Sequence, residues 1–586
     1  MKRAALLLLV APLLFAARPW ASQQAPALPT ASKAAPDDKP DEGYPVTSDV
    51  VKRKCSGCHH ADDKGRLSRI SFRRTTPEGW EQTIKRMISL NNLKIEPAEA
   101  RDVLRYLADH QGLAPEEAEP AAFEVERRQI DFRYAGEKDD KDKKTTEETC
   151  IACHSFGRVM SQRRTKEEWE LLVAMHRGYY WLSDFQAFRR AGPTRREPNA
   201  PERSQDNRHP MDVAISHLSS AFPLTTPEWS AWSATMRPPQ LQGKWAISGY
   251  EMGKGPLYGQ MTISSGPDAG EFTTEISYTI PSTGEQVKRT GKAIVYTGYQ
   301  WRGRDAQADN TREFREVMFV DRDWRHAHGR WFTGAYDEFG IDVQIQRVGA
   351  DPVLTGAATA ILLAPASDAP ARYEVRLFGA NLPSTIAARD LNFGPGVAVE
   401  RVVSAAADQV TVEVSVARGA AAGRRSVFLN GANGSATVAV ADRVDFIKVA
   451  PQAGLARVGG ANFPKQFQQF EAIAYANGPD GKPDTNDDVE LGPVKASWTI
   501  EEYTATFDDD DKDFVGTIDA ATGLFTPNLD GPNPKRRHNA NNYGDVWVVA
   551  SYAPTGGDAA KPLKARAHLL VTVPLYMKFE QPEVAR

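Results

Sequence analysis

Cys55-Ser56-Gly57-Cys58-His59 and Cys150-Ile151-Ala152-Cys153-His154 are two C-x-x-C-H runs, and they use all four cysteines of the 586-residue chain. The pattern is the c-type haem attachment signature. Two thiols bond the porphyrin vinyl groups, and the adjacent His supplies the proximal nitrogen to iron. A C-x-x-C pair can also be half a zinc site or a thioredoxin-like redox pair. Zinc needs two halves to meet and gives no reason for a His directly after both pairs. A redox pair expects a βαβ context, which neither run has. Cys55, Cys58, Cys150 and Cys153 are therefore the expected thioether positions, with His59 and His154 as proximal ligands. His60 reads as a surface residue. With no cysteine left over, disulfides are excluded, so stability has to come from ordinary cores and from the haems.

Outward from the motifs, the sequence repeats itself weakly. Arg73-Arg74-Thr75-Thr76-Pro77-Glu78-Gly79-Trp80-Glu81 follows the first run, and Arg163-Arg164-Thr165-Lys166-Glu167-Glu168-Trp169-Glu170 follows the second. Thr-Pro-Glu and Thr-Lys-Glu are helix starts: the hydroxyl caps the first turn and carboxylates favour its positive end. With Trp80 aligned on Trp169, seven residues further on stand Met87 and His176. Seven residues are two helical turns, so each pair lies on one helix face, with Ile84 and Val173 in the turn between. Met87 is the expected distal ligand of the first haem and His176 that of the second. The plainer alternatives are core filler for Met87 and a satisfied polar group for each His. In the second lobe Met175, His209, Met211 and His217 are rival ligands, since Ala214–Ala221 also looks helical. Ala98–His110 reads as an amphipathic helix, with Val103, Leu104 and Leu107 at helical spacing and Tyr106 beside them, of the kind that closes a class I cytochrome c lobe. Lys138–Lys144 reads as a solvated, charged linker. A thioether ligand raises a haem potential relative to a second imidazole, so electrons are expected to run from the His176 haem to the Met87 haem.

Met1-Lys2-Arg3 followed by an apolar run from Ala4 to Ala17 has the form of a secretory signal, with Ala21 and Ala25 as candidate cleavage points. The run is too short to favour a spanning helix. Export and haem attachment together point to the periplasm. The expected organisation is signal peptide 1–25, flexible leader 26–44, and a helical dihaem cytochrome c domain 45–236 in lobes of about 45–120 and 121–236. An antiparallel β-barrel follows at 237–350, then an immunoglobulin-like sandwich at 351–443 and a second immunoglobulin-like domain at 444–586. A formal net charge of −4 suggests no nucleic-acid partner.

The β assignment rests on a change of period near Gly243. Phe272, Thr274, Ile276, Tyr278 and Ile280 alternate with polar neighbours, as do Ile341, Val343 and Ile345, and later Val410, Val412, Val414 and Val416. Trp498 is the candidate core tryptophan of the last block. Asp480, Asp484, Asn486, Asp487 and Asp488 form an acidic loop without EF-hand spacing, so calcium there is an open reading beside a solvated one. Asp508–Asp511 reads as a solvated turn. No nucleophile elbow, P-loop or H-E-x-x-H occurs, so no catalytic residue is expected in this chain.

The two haem motifs, the Arg-Arg-Thr…Trp repeats and the β segments from Gly243 onward, in this order, resemble the alpha subunit of quinohemoprotein amine dehydrogenase over nearly the whole mature chain. That resemblance implies a heterotrimer with a β-propeller subunit and a small crosslinked subunit. The small subunit carries cysteine tryptophylquinone, which oxidises primary amines to aldehyde and ammonia. It also implies one bis-His and one His/Met haem, and electron delivery to a soluble cytochrome c or a cupredoxin. This chain has no cysteine to spare for such a quinone, which must then lie on another polypeptide. A stand-alone dihaem carrier, a dihaem peroxidase and a mainly structural protein are the competing functions.

Overall fold

The computed structural model describes residues 42–121, 141–151, 154–180, 183, 208–307, 312–504, 508–554 and 561–574. The signal peptide, the leader up to residue 41 and Cys153 lie outside the described residues. The fold is helical at the N-terminal end and mostly antiparallel β beyond it, including one closed barrel. Among the described residues no helix is long and apolar enough to cross a membrane.

The haem region is built as two related halves. Helix α1 (Asp49–Cys55), strand β1 (Arg73–Thr75), helix α2 (Pro77–Asn91) and helix α3 (Pro97–His110) form the first, joined to a short α4 (Pro115–Ala118). Helices α5 (Lys141–Cys150) and α6 (Gly157–Met160), strand β2 (Gln162–Arg164), and helices α7 (Lys166–Tyr179) and α8 (Pro210–Ala221) form the second; α9 (Pro227–Thr235) follows. β1 and β2 pair antiparallel with Arg74 opposite Arg163. Around that pair the caps and tryptophans of the halves match at one offset, and the closing helices repeat the contact at a longer spacing. Thr76 and Thr165 cap α2 and α7 through their hydroxyls, each accepting the N–H three residues on. The Trp80 indole donates to the Gln111 carbonyl just past α3, and Trp169 donates to the Phe222 carbonyl just past α8. The backbone N–H groups of Thr75 and Arg164 bond those same two carbonyls. Each half thus hangs its buried tryptophan on the end of a closing helix. In α3 the closing face is Val103, Leu104 and Leu107, all buried, as the helical spacing predicts.

One expectation is corrected here. Lys141–Lys144 do not form a solvated loop but open helix α5. Thr145, Thr146, Glu147 and Thr149 on that helix are buried, α5 packs on α8, and Asp142 pairs with Arg208 at 2.6 Å. A charged run with few apolar residues is helical because a neighbouring helix covers its other face.

The chain divides into two compact units. The larger contains the haem region, the barrel, 447–473 and 493 onward; the smaller gathers 350–446 and 474–492. In the larger unit, eight antiparallel strands close a barrel: β3 (Gly243–Glu251), β4 (Gly255–Ser265), β5 (Glu271–Ile280), β6 (Glu285–Tyr296), β7 (Gln300–Gln307), β8 (Glu313–Val320), β9 (His326–Thr333) and β10 (Phe339–Arg347). Alternation fills the inside with Ile247, Phe272, Ile276, Trp301, Met318, Trp331 and Ile345 among others. The outer face of β6–β8 carries the haem region: Ile294 and Tyr296 complete the core of the first half, and Tyr299 and Phe319 pack with Trp229 and Trp232. The C-terminal part of this unit has a four-stranded and a three-stranded sheet, with Trp498 buried against Phe470. Asp511 is not a solvated turn residue: it is buried and ion-paired with Arg536.

The smaller unit is a sandwich of five- and four-stranded sheets whose core includes Val375, Val412, Val414, Val427 and Val438. The acidic loop 480–488 belongs to it, and is held by its own backbone: the Asp480 N–H donates to Asp487 and the Thr485 N–H to Asp488.

Candidate haem sites

Helix α1 starts on a Ser48 cap and ends at Cys55. The Cys58 and His59 N–H groups then both donate to the Cys55 carbonyl, at 3.2 and 2.9 Å. That tight turn is why the C-x-x-C-H spacing works: it sets His59 one helical turn past the first thiol. Cys55 is half-buried and Cys58 exposed, and neither is in a disulfide. Burial, with Cys58 beside it, pushes the Cys55 thiol up to about 11. Helix α5 ends at Cys150, and the described part of the second motif resumes at a half-buried His154.

Three of the four expected iron ligands are histidines, and each is oriented through one ring nitrogen. His59 Nδ1 lies 2.8 Å from the Ser68 carbonyl, His154 Nδ1 2.9 Å from the Ser155 carbonyl, and His176 Nδ1 2.8 Å from the Leu172 carbonyl one turn back on α7. A carbonyl only accepts, so the proton sits on Nδ1 and the lone pair on Nε2. That is the orientation a metal-bound imidazole takes, with its other nitrogen tied to an acceptor. Burial lowers the His154 imidazole to about 4 against the Ser155 hydrogen bond, with Arg158 and His176 adding to the shift. Burial also lowers His176, opposed by its Leu172 bond and aided by Arg158, Arg164 and Arg86. Both shifts favour the neutral imidazole, the form that ligation requires.

Met87 stands where the offset predicts, two turns past Trp80 and half-buried near the end of α2. Its carbonyl accepts from both Asn92, which is left-handed, and Leu93, so the backbone there is pinned as the helix stops. Ile88 and Leu90 beside it are exposed, as are Tyr179 and Tyr180 beyond His176. Exposed apolar side chains flanking both candidate distal ligands suit the face of a flat apolar group. Of the rivals, His209 is used otherwise: its Nδ1 accepts the Met211 N–H and caps α8, and Met211 is buried.

Two features carry no local sequence signal. One is a band of guanidiniums, Arg86, Arg158 and Arg164, whose charges fall on His176 and on one another. Such a band suits carboxylates at the edge of a porphyrin. The other is Glu117 of α4, which joins the two halves. It accepts from Arg74 at 2.8 and 2.9 Å, from Arg163 at 3.0 Å, from Thr226 at 2.8 Å and from the Ala114 N–H at 2.8 Å. Burial alone would raise its pKa, but Arg74 and Arg163 hold it at about 2. The repeated Arg doublet marked one side of this junction; nothing near Glu117 marked the other.

Four family models match the chain. They are described as the haem-binding domain of quinohemoprotein amine dehydrogenase alpha subunit, over 46–193, and as domains II, III and IV of the same subunit, over 238–348, 367–442 and 447–584. No curated protein sequence matches. Among solved structures, a redesigned beta barrel is 16% identical, covering 19% of this chain and 92% of that one at a TM-score of 0.17. Domains 4–9 of the surface layer protein SbsC are 14% identical over 46% and 45%, at 0.14. The I9–I11 tandem from titin is 10% identical over 53% and 99%, at 0.11.

Proposed function

The chain belongs to the quinohemoprotein amine dehydrogenase alpha-subunit family, and on that premise we propose that it is the dihaem electron-transfer subunit of a periplasmic complex of that kind. Its family makes it a haem-binding component of an oxidoreductase assembly with partner subunits. Our reading adds that both haems are covalent, through Cys55 and Cys58 and through Cys150 and Cys153. It adds the ligand pairs His59 with Met87 and His154 with His176. Bound there, haem supplies one-electron chemistry at iron. The chain's own residues do the rest: Ser68, Ser155 and Leu172 carbonyls fix which ring nitrogen faces the metal, and the two tryptophan-hung halves hold the sites side by side.

The observation that carries the proposal is the constant offset. The caps Thr76 and Thr165 and the tryptophans Trp80 and Trp169 stand at one offset, each tryptophan bonds the carbonyl that follows its closing helix, and at the same offset Met87 is the counterpart of His176. Amine oxidation is assigned to cysteine tryptophylquinone on a small subunit, a β-propeller subunit completes the heterotrimer, and a soluble cytochrome c or cupredoxin accepts the electrons.

The test is a potentiometric titration of the purified complex resolving two haems. Met87→His lowers the higher potential, on the order of a hundred millivolts within the span that axial ligands command, and leaves the other unchanged. If both potentials stay put, Met87 is not a ligand. Haem reduction on adding a primary amine to the complex, and none with the isolated chain, tests the partner assignment.

A further inference from the structure

The hairpin joining β8 to β9 carries Asp321-Arg322-Asp323-Trp324-Arg325-His326-Ala327-His328, a D-x-D-x-x-H-x-H run that neither the haem sites nor the barrel core uses. The hairpin gathers its donors in space. The Asp321 N–H donates to the His326 carbonyl at 2.9 Å, so these two residues lie across from each other. His328 is two residues along β9 and shares the outer face with His326, while Ala327 between them points into the core. Asp323 sits in the turn, where its Oδ1 accepts the Arg325 N–H at 2.7 Å. Its other oxygen, Oδ2, lies 3.7 Å from His326 Nδ1.

The spacings among the donors are informative. Asp321, Asp323 and His326 each bring one ligand atom within 4.8 Å of the others. His326 Nδ1 is 4.0 Å from Asp321 Oδ2, and His328 Nδ1 is 3.9 Å from Asp321 Oδ1. Such distances are too long for hydrogen bonds. They are close to the edges of a coordination polyhedron, because bonds of about 2.0–2.2 Å at tetrahedral angles set donor atoms roughly 3.3–3.6 Å apart. On its far side, His328 presents Nε2 to Glu119 Oε1 at 3.4 Å. A carboxylate behind a ligating imidazole fixes its tautomer and raises its basicity. Glu119 lies in the 3₁₀ turn after α4, in the haem region.

We propose that Asp321, Asp323, His326 and His328 bind a transition-metal dication, with Glu119 as the outer partner of His328. Two imidazoles select against calcium and magnesium, which take oxygen ligands, and two carboxylates with two nitrogens suit zinc or its neighbours. Bound there, the ion ties the barrel hairpin to the haem region through His328 and Glu119.

Zinc titration of the chelator-stripped, haem-loaded full chain tests this, by calorimetry and by metal analysis after gel filtration. One equivalent is expected. The double variant H326A/H328A loses it with the haem spectrum unchanged, and Glu119→Gln weakens it roughly tenfold. Uptake of no zinc by the parent chain overturns the site, as does undiminished uptake by H326A/H328A. Neither result touches the haem assignment, which rests on other residues.

Discussion

Two buried charge clusters in the larger unit are built from the same groups in opposite proportion. At the junction of the haem halves, one carboxylate, Glu117, faces two guanidiniums, Arg74 and Arg163. Inside the barrel, one guanidinium, Arg289, faces two carboxyls: it pairs with Asp305 at 2.7 Å, and Asp305 in turn meets Glu316. The surroundings are alike, with Arg74 over Trp229 and Arg289 over Phe314 and Trp331. The protonation is not. Glu117 is held at about 2 and stays ionised. Burial, then Asp305, drives Glu316 well above the ordinary carboxylate range, so it keeps its proton; burial raises Asp305 too, but Arg289 and the Glu316 hydrogen bond oppose the shift there. Buried carboxyl groups can shed charge by taking a proton; buried arginines cannot. The junction therefore depends on its one acid, and the barrel has an acid in reserve. The barrel is also shaped around the pair: a Cβ at Gly303 would collide with the Glu316 carboxyl, while Trp301 donates to it at 2.6 Å.

The comparison breaks most easily at Glu117. Glu117→Ala leaves two buried guanidiniums facing each other and costs about 3–5 kcal/mol. Denaturant unfolding followed at the haem absorbance measures it, and wild-type stability in that variant would show that the two halves do not rest on this junction.

The pH dependence of the two clusters runs in opposite directions. Lowering Glu117 from its ordinary 4.5 to about 2 contributes on the order of 3 kcal/mol. That contribution is present above pH 4.5 and lost as pH falls through the folded value. For Glu316 the folded pKa is raised, so its contribution is full below pH 4.5 and declines as pH rises through the folded value. Hydrogen exchange of β7 and β8 amides, set beside haem-monitored unfolding across the same pH range, gives slopes of opposite sign if this is right.

The smallest effect is expected for Glu316→Gln, which keeps a neutral hydrogen-bonding group where a neutral acid stood. It should change barrel stability by about 1 kcal/mol or less and abolish the barrel's pH slope. A cost as large as that of Glu117→Ala would mean that Glu316 is charged.

Much of this molecule was legible from local pattern. The C-x-x-C-H turns, the Thr caps and the Trp repeat each depend on residues within a turn or two of one another, as does the period of two that opens at Gly243. The offset that pairs Met87 with His176 is a repeat, and repeats survive in sequence. Lys141–Lys144 misled because a charged run with no apolar stripe reads as a solvated loop, and only the packing on α8 shows the run as a covered helix. Asp511 misled likewise, because its partner Arg536 is 25 residues away.

By itself, the amino-acid sequence determined the helix starts, the strand alternation and the absence of spare thiols, and it marked the C-x-x-C-H runs as the expected haem attachment points, since each reading rests on chemistry between near neighbours. Only the tertiary structure decided that Glu117 neutralises two arginines from different halves. It alone closed eight strands around an arginine and a protonated glutamate, set the outer face of the barrel against the haem region, and brought Glu119 to the His328 hairpin. Those choices depend on groups distant in the chain meeting in a medium that penalises unpaired charge, and that meeting is settled when the core closes.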